Sequence, residues 1–169
     1  NQLDDQKMFL YDTLTREIKP LRASDGRRFR FYGCGPTVYG SAHIGNFRTF
    51  INLDILSRVL QLSGLPPYYV RNPPDVDDNT IKHSQKEGIL LDKFTARWID
   101  LFREDCATLN ILQPDVEPRA TDHLPQQIIL IESLIDRGHA YVAGDGSDYY
   151  DVSSFPGYGR LTGLDAREL

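Results

Sequence analysis

Between residues 44 and 63, Phe47, Phe50, Ile51, Ile55, Val59 and Leu62 recur at three- and four-residue spacing. That period predicts a helix with these six side chains facing inward. Gly64 is a natural stop, and Pro66-Pro67 prevents continuation. Upstream, residues 28–34 alternate and then turn aromatic at Phe29, Phe31 and Tyr32, which predicts a buried strand ended by Gly35-Pro36. Residues 68–71 form a second short strand. Strand, loop, helix and strand make a βαβ unit, whose strands should be parallel and whose crossover should be right-handed.

The other elements follow from weaker patterns. Residues 9–13 suggest an edge strand, and Lys19-Pro20 and Ser24-Asp25-Gly26 suggest turns. Residues 78–86 look helical, ending at Gly88. Asp92 is placed to cap a helix running to about Leu109, with Phe94, Trp98, Leu101, Phe102, Cys106 and Leu109 on one face. Residues 115–121 are expected to return as a strand. Residues 125–137 should be helical, with Ile128, Ile131, Leu134 and Ile135 inward and Gly138 as the stop. Residues 141–142 and 149–152, around Gly144-Asp145-Gly146, suggest a hairpin. No internal repeat or low-complexity tract is present. A charged segment (Asp165, Arg167, Glu168) follows, and the sheet looks incomplete.

Composition narrows the class. Hydrophobic residues make up 40% and charged residues 25%, as expected of a globular, soluble chain of 169 residues. No apolar run approaches the roughly 18 residues of a membrane span. The polar start, residues 1–7, has no signal-peptide pattern. Two cysteines, Cys34 and Cys106, argue against a disulfide framework and for a reducing, cytoplasmic setting. A net charge of −5 disfavours a strongly basic nucleic-acid module. A partner with phosphates remains compatible with it, because positive charge can be confined to one groove. Arg22, Arg27, Arg28 and Arg30 gather before the first strong strand and read as a solvated edge.

The junction between the first strand and the long helix carries the candidate chemistry. In open α/β sheets ligands bind outside the carboxyl ends of strands. A helix amino terminus offers unpaired N–H groups and a positive dipole end to phosphate. His43 and Asn46 sit there, and both can donate hydrogen bonds to phosphoryl oxygens. Gly45 has no side chain, so a base or ribose could approach its backbone closely. Neither a glycine-rich dinucleotide fingerprint nor a P-loop is present. Taken alone, His43 reads as a cap or a core residue, and Cys34 as a small buried hydrophobe. Cys106 reads as core, and His83, His123 and His139 as surface or packing residues. Asp75, Asp77 and Asp78 read as caps for the following helix rather than as a metal site.

As a set, the motifs resemble the bacterial cysteinyl-tRNA synthetases of class I. The stretch from Phe31-Tyr32-Gly33-Cys34-Gly35-Pro36-Thr37-Val38-Tyr39 to His43-Ile44-Gly45-Asn46-Phe47-Arg48-Thr49-Phe50 is similar to that family's signature, with the HIGH motif in its HIGN form. Tyr69-Val70-Arg71-Asn72, Asp75-Val76-Asp77-Asp78, Glu117-Pro118-Arg119-Ala120-Thr121 and Gly138-His139-Ala140-Tyr141 follow in order, and Ser154-Phe155-Pro156 to Gly163 completes the series. The resemblance implies the first half of a class I Rossmann (HUP-like) parallel sheet with helices on both faces over residues 1–121. Residues 122–169 would begin a connective insertion with a β-hairpin.

The resemblance also implies roles. Cys34 matches the first zinc ligand; in the family the metal binds the substrate cysteine's thiolate and so discriminates against serine. Gly35, Thr37 and position 74 would contact the amino acid. His43, Gly45 and Asn46 would bind ATP with Mg2+, and His43 and Asn46 would stabilise charge on the α-phosphate as the carboxylate attacks. Cysteine, ATP and tRNA are the implied partners of a cytoplasmic, monomeric enzyme with no membrane contact. The chain departs from the family at Pro73-Pro74, where an apolar residue and threonine are usual; Pro74 offers neither hydroxyl nor N–H. Asn79 stands where lysine is common. No KMSKS-type loop and no further zinc ligands occur in these residues, so the isolated chain is expected to be inactive, as a fragment or a truncated relative. The alternatives are a synthetase-derived nucleotide- or partner-binding module without turnover, and a ligase joining cysteine to a small amine.

Overall fold

The computed structural model describes residues 8–162; the polar start, Gly163 and the charged segment at 165–168 lie outside the described residues. Two compact units result, one formed by Arg22–Asp122 and the other by residues 8–21 together with 123–162.

In the second unit, β1 (Phe9–Asp12) pairs antiparallel with β2 (Glu17–Pro20). The first unit holds β3 (Phe29–Cys34), α1 (Ile44–Leu62), β4 (Pro67–Asn72), α2 (Asp78–Glu87) and α3 (Leu91–Thr108). The two strands that flank α1 are parallel, in a register running from Phe29↔Pro67 to Cys34↔Asn72. Cys34 and Asn72 therefore lie side by side at the carboxyl end of the pair. The rest of the second unit is α4 (Leu124–Asp136), a hairpin of β5 (Ala140–Val142) and β6 (Asp148–Tyr150), and a 3-10 turn at Val152–Ser154.

The core of the first unit lies between α1 and α3. Phe47, Phe50, Phe102, Cys106 and Ile111 form one buried cluster. Phe102 stacks on Phe47 at 5.7 Å and meets Phe50 edge-on at 4.8 Å. Arg71 reaches into this cluster from β4, only 1% exposed, with its guanidinium 4.9 Å from the Phe102 ring. A buried cation must be paired. Glu117 accepts from Arg71 Nε at 3.2 Å and Nη2 at 2.7 Å, while its other oxygen takes a bond from Arg103 Nε at 2.8 Å.

Several expectations need correction. Lys19-Pro20, expected as a turn, is the end of strand β2. Of β3, expected to be buried, only Gly33 is buried, and Tyr32 is exposed. On α1, Phe47 and Phe50 are buried, but Ile51, Ile55, Val59 and Leu62 are exposed; Ser57 and Leu60 are buried instead. The described strands present α1 with a surface only two strands wide, which covers a narrower stripe than the apolar pattern provides. Ser57 tolerates burial because its hydroxyl donates back to the Leu53 carbonyl at 3.0 Å. On α3, Leu90 occupies the cap position without a side-chain bond and Asp92 lies in the first turn, where a carboxylate still complements the helix dipole. Ile99 and Thr95 join its buried face, while Leu109 is exposed.

The expected strand at 115–121 reduces to one parallel bridge, Val70↔Val116. Arg71 N donates to Val116 O at 3.0 Å and Asp115 N to Tyr69 O at 2.8 Å. Pro114 and Pro118 flank this contact and have no N–H with which to extend a ladder. On α4, Ile128 and Ile131 are exposed, and only Leu134 and Ile135 are half-buried. The three-residue strands β5 and β6 are too small to cover a four-turn helix. Val152 leaves the hairpin for the 3-10 turn, which Asp151 caps through Ser153 N at 3.0 Å.

Candidate active site

The site begins where β3 ends. Gly35 N donates to the Asn72 carbonyl at 2.7 Å, and a Cβ at residue 35 would lie 2.2 Å from that same oxygen. Only glycine lets the chain cross so close to the end of β4. The loop then runs through Val38, which is fully buried, to His43.

His43 is the amino-terminal cap of α1, with extended backbone (φ −106°, ψ 171°). Its Nδ1 accepts from Gly45 N at 3.0 Å, while its own N–H donates to Asn46 Oδ1 at 3.0 Å. This reciprocal box fixes both side chains. With Nδ1 accepting, the neutral imidazole carries its proton on Nε2. With Oδ1 accepting, the amide NH2 of Asn46 is the group left to donate. The cap thus presents two hydrogen-bond donors at a positive helix terminus.

His43 and Asn46 both line a pocket of about 150 Å³, together with Pro36, Thr37, Tyr39, Gly40, Ser41 and Ala42. Pockets for whole drug-sized ligands run to about 300–1,000 Å³, so this one has room only for a smaller group, of about the size of a phosphoryl. A larger cavity of about 380 Å³, lined by Arg28, Gln61 and Asp115 among others, lies at the opposite end of the strands, where β4 begins, and has none of these donors.

Thr37, His43 and Asn46 are therefore brought together, and Gly45 adjoins them through its backbone. Cys34, Gly35 and Pro74 do not line the pocket. Cys34 is exposed at the end of β3. Pro74 lies half-buried between Pro73 and Asp75, both buried. Tyr39 and Ser41 are pocket residues that the sequence reading passed over, although Tyr39 lay within the quoted motif.

The acidic group divides. Asp77 caps α2, accepting from Thr80 N at 2.6 Å. Asp75 does not cap; it is fully buried and accepts from Arg119 Nε at 3.1 Å, from Thr121 N at 3.2 Å and from the Thr121 hydroxyl. Burial opposes its ionisation, but the hydrogen bonds from Thr121 and Arg119 outweigh it and hold the carboxyl below the usual carboxylate range. Among the described residues no group of three or more His, Cys, Asp or Glu side chains could hold a metal ion. Zinc takes three or four protein ligands, so these residues alone do not fit it. No helix among them is long and apolar enough to cross a membrane.

Residues 20–169 match the family model described as tRNA synthetases class I (C) catalytic domain. The chain belongs to that family. A cysteine–tRNA ligase of Opitutus terrae is 53% identical over 164 residues, covering 95% of this chain and 36% of the relative. One from Chlamydia caviae is 46% identical over 164 residues, covering 97% and 34%. The chain thus spans about a third of the length of the curated relatives it matches. Among solved structures, LeuRS of Agrobacterium radiobacter K84 in complex with tRNA and LeuAMS superimposes with a TM-score of 0.62 at 22% identity, over 70% of this chain and 16% of that one. Methionyl-tRNA synthetase of Mycobacterium tuberculosis with methionyl-adenylate gives 0.58 at 20% identity, over 66% and 23%. These likenesses establish a class I synthetase fold, in which the His43–Asn46 cap occupies the end of a Rossmann-type strand–helix junction.

Proposed function

We propose that this chain is the nucleotide-side portion of a cysteine–tRNA ligase, a cytoplasmic monomer that activates cysteine with ATP and passes it to tRNA. The observation that carries the reading is the His43–Asn46 box, which sets Nε2–H and an amide NH2 beside a phosphoryl-sized pocket. In adenylate formation the cysteine carboxylate attacks the α-phosphorus, and the bond to pyrophosphate breaks. Charge grows on the α-phosphate oxygens, where His43 and Asn46 donate. Because both donors are already fixed by the cap, little reorganisation accompanies that step. The hydroxyl at the tRNA terminus then attacks the carbonyl carbon, and AMP leaves.

ATP enters with Mg2+, which neutralises phosphate charge. Thr37 supplies a hydroxyl to the pocket, and Gly35, Thr37 and Pro74 are prospective contacts of the amino acid. Cys34 is a prospective zinc thiolate whose partner ligands are not among the described residues.

In the full-length ligase, His43→Ala and Asn46→Ala should each slow cysteine-dependent ATP–pyrophosphate exchange by about 10²–10³-fold, as for loss of a transition-state donor. Circular dichroism should remain native. Exchange within a few-fold of wild type in both variants would sink the reading. A second reading is nucleotide binding without turnover by the 169-residue chain alone, since the described residues hold no complete metal-binding group. Formation of cysteinyl-tRNA by that chain alone would refute it.

A further inference from the structure

The pocket has one wall that its own loop does not hold. Between Val38, which is buried, and the His43 cap, the segment Tyr39-Gly40-Ser41 has little support: a Cβ at Gly40 would meet nothing within 4 Å, and Tyr39 is 43% exposed. Burial therefore does not fix the Tyr39 ring. A contact from another helix does. The imidazole of His83, on α2, stacks on Tyr39 with centroids 5.3 Å apart and planes inclined by 29°.

His83 is itself well placed for this. Its Nδ1 lies 2.8 Å from the Asn79 carbonyl, an acceptor, so Nδ1 carries a proton and the ring is held one turn back along the helix. The helix register is set independently by the Asp77–Thr80 box and by burial of Thr80 and Ser84. Ring position thus passes from a locked helix to His83, and from His83 to a pocket-lining tyrosine.

We propose that His83 is a positioning residue for the nucleotide pocket, acting through its stack on Tyr39 to hold that part of the pocket wall in place. The inference rests on the nucleotide reading of that pocket. It assigns His83 no contact with ligand, so its loss should weaken ground-state binding and leave the chemical step alone.

The test uses the full-length ligase in ATP–pyrophosphate exchange. His83→Ala should raise the KM for ATP about two- to tenfold, the range that one aromatic pair converts to, with kcat within about twofold. His83→Phe keeps a ring to stack and loses the bond to Asn79, so it should restore the wild-type KM. An unchanged KM in His83→Ala overturns the proposal. A His83→Phe variant as impaired as His83→Ala also overturns it, since a ring at position 83 would then not be what supports Tyr39. Asn46→Ala, run alongside, separates the two levels: if it too leaves ATP use intact, the nucleotide reading has failed. If it abolishes exchange while His83→Ala is silent, only the role of His83 has failed.

Discussion

The imidazole of His43 fills the space that a side chain at Gly45 would need: a Cβ there would lie 2.8 Å from Cε1 and 3.0 Å from Nδ1. The glycine of the motif therefore serves the histidine before it serves any ligand. In Gly45→Ala the ring swings away, because a side chain yields more readily than backbone. The cap is lost at a cost of about 0.5–2 kcal/mol, yet ATP affinity of the full-length ligase should fall tenfold or more, measured by calorimetric titration. Gly35→Ala meets the Asn72 backbone instead and should destabilise by about 1–3 kcal/mol or more. Equal losses of stability and of affinity in the two variants would contradict this division.

The pairing of Arg71 with Glu117 yields a second expectation. Glu117→Ala strands a buried guanidinium and should lower unfolding stability by about 3–5 kcal/mol in urea denaturation. Arg103→Ala removes from the same carboxylate a partner whose side chain is 42% exposed, against 1% for Arg71, and should cost no more than about 1 kcal/mol. Comparable losses from the two substitutions would show that burial of Arg71 is not what makes the pair matter.

For Asp75 the expectation depends on pH. Its folded-state pKa lies below the unfolded value of about 3.9. The stability it confers is fully present above that unfolded value and is lost as pH falls through the folded one. Asp75→Asn should cost about 1.5–3 kcal/mol at pH 7, the range for a hydrogen-bonded charged group. The gap between wild type and variant should close in thermal melts recorded below pH 4. A gap that does not narrow as pH falls below that unfolded value would rule out the carboxylate as its source.

The two thiols should differ sharply in reactivity. Cys34 is exposed, whereas Cys106 is buried beneath Arg71. Burial raises the Cys106 pKa, with Arg71 only partly opposing it. A chromogenic disulfide reagent should therefore titrate one thiol in the native protein and the second only in denaturant. Two rapid equivalents without denaturant would contradict the packing of α3.

Local signals made much of the first unit legible. The period of residues 44–63 located α1, Gly88 marked the end of α2, and the motif around Cys34 and His43 pointed to the strand–helix junction. What failed was anything decided by a distant partner. Nothing near Ser57 reveals that it is buried, since α1 takes its inward face from the narrow strand pair it meets. Asp75 looks like its neighbour Asp77 in sequence, and only Thr121 and Arg119 distinguish a buried anchor from a cap. Residues 115–121 have strand-like composition, but two prolines confine them to a single bridge.

The bonds Tyr69–Asp115, Arg71–Glu117 and Asp75–Thr121 each join residues 46 positions apart. Such contacts form only after a long loop has closed, whereas the His43–Asn46 cap needs a single turn. On the ribosome, chain grows at about 5–20 residues per second, so the partners of β4 emerge roughly 2–9 s after β4 itself. The helix end that faces the nucleotide can therefore take shape early in synthesis, while the strand beside it waits with Arg71 unpaired. Nascent chains paused between Asn72 and Glu117 would hold Arg71 without its counter-charge, so its burial against Phe102 must wait until Glu117 emerges.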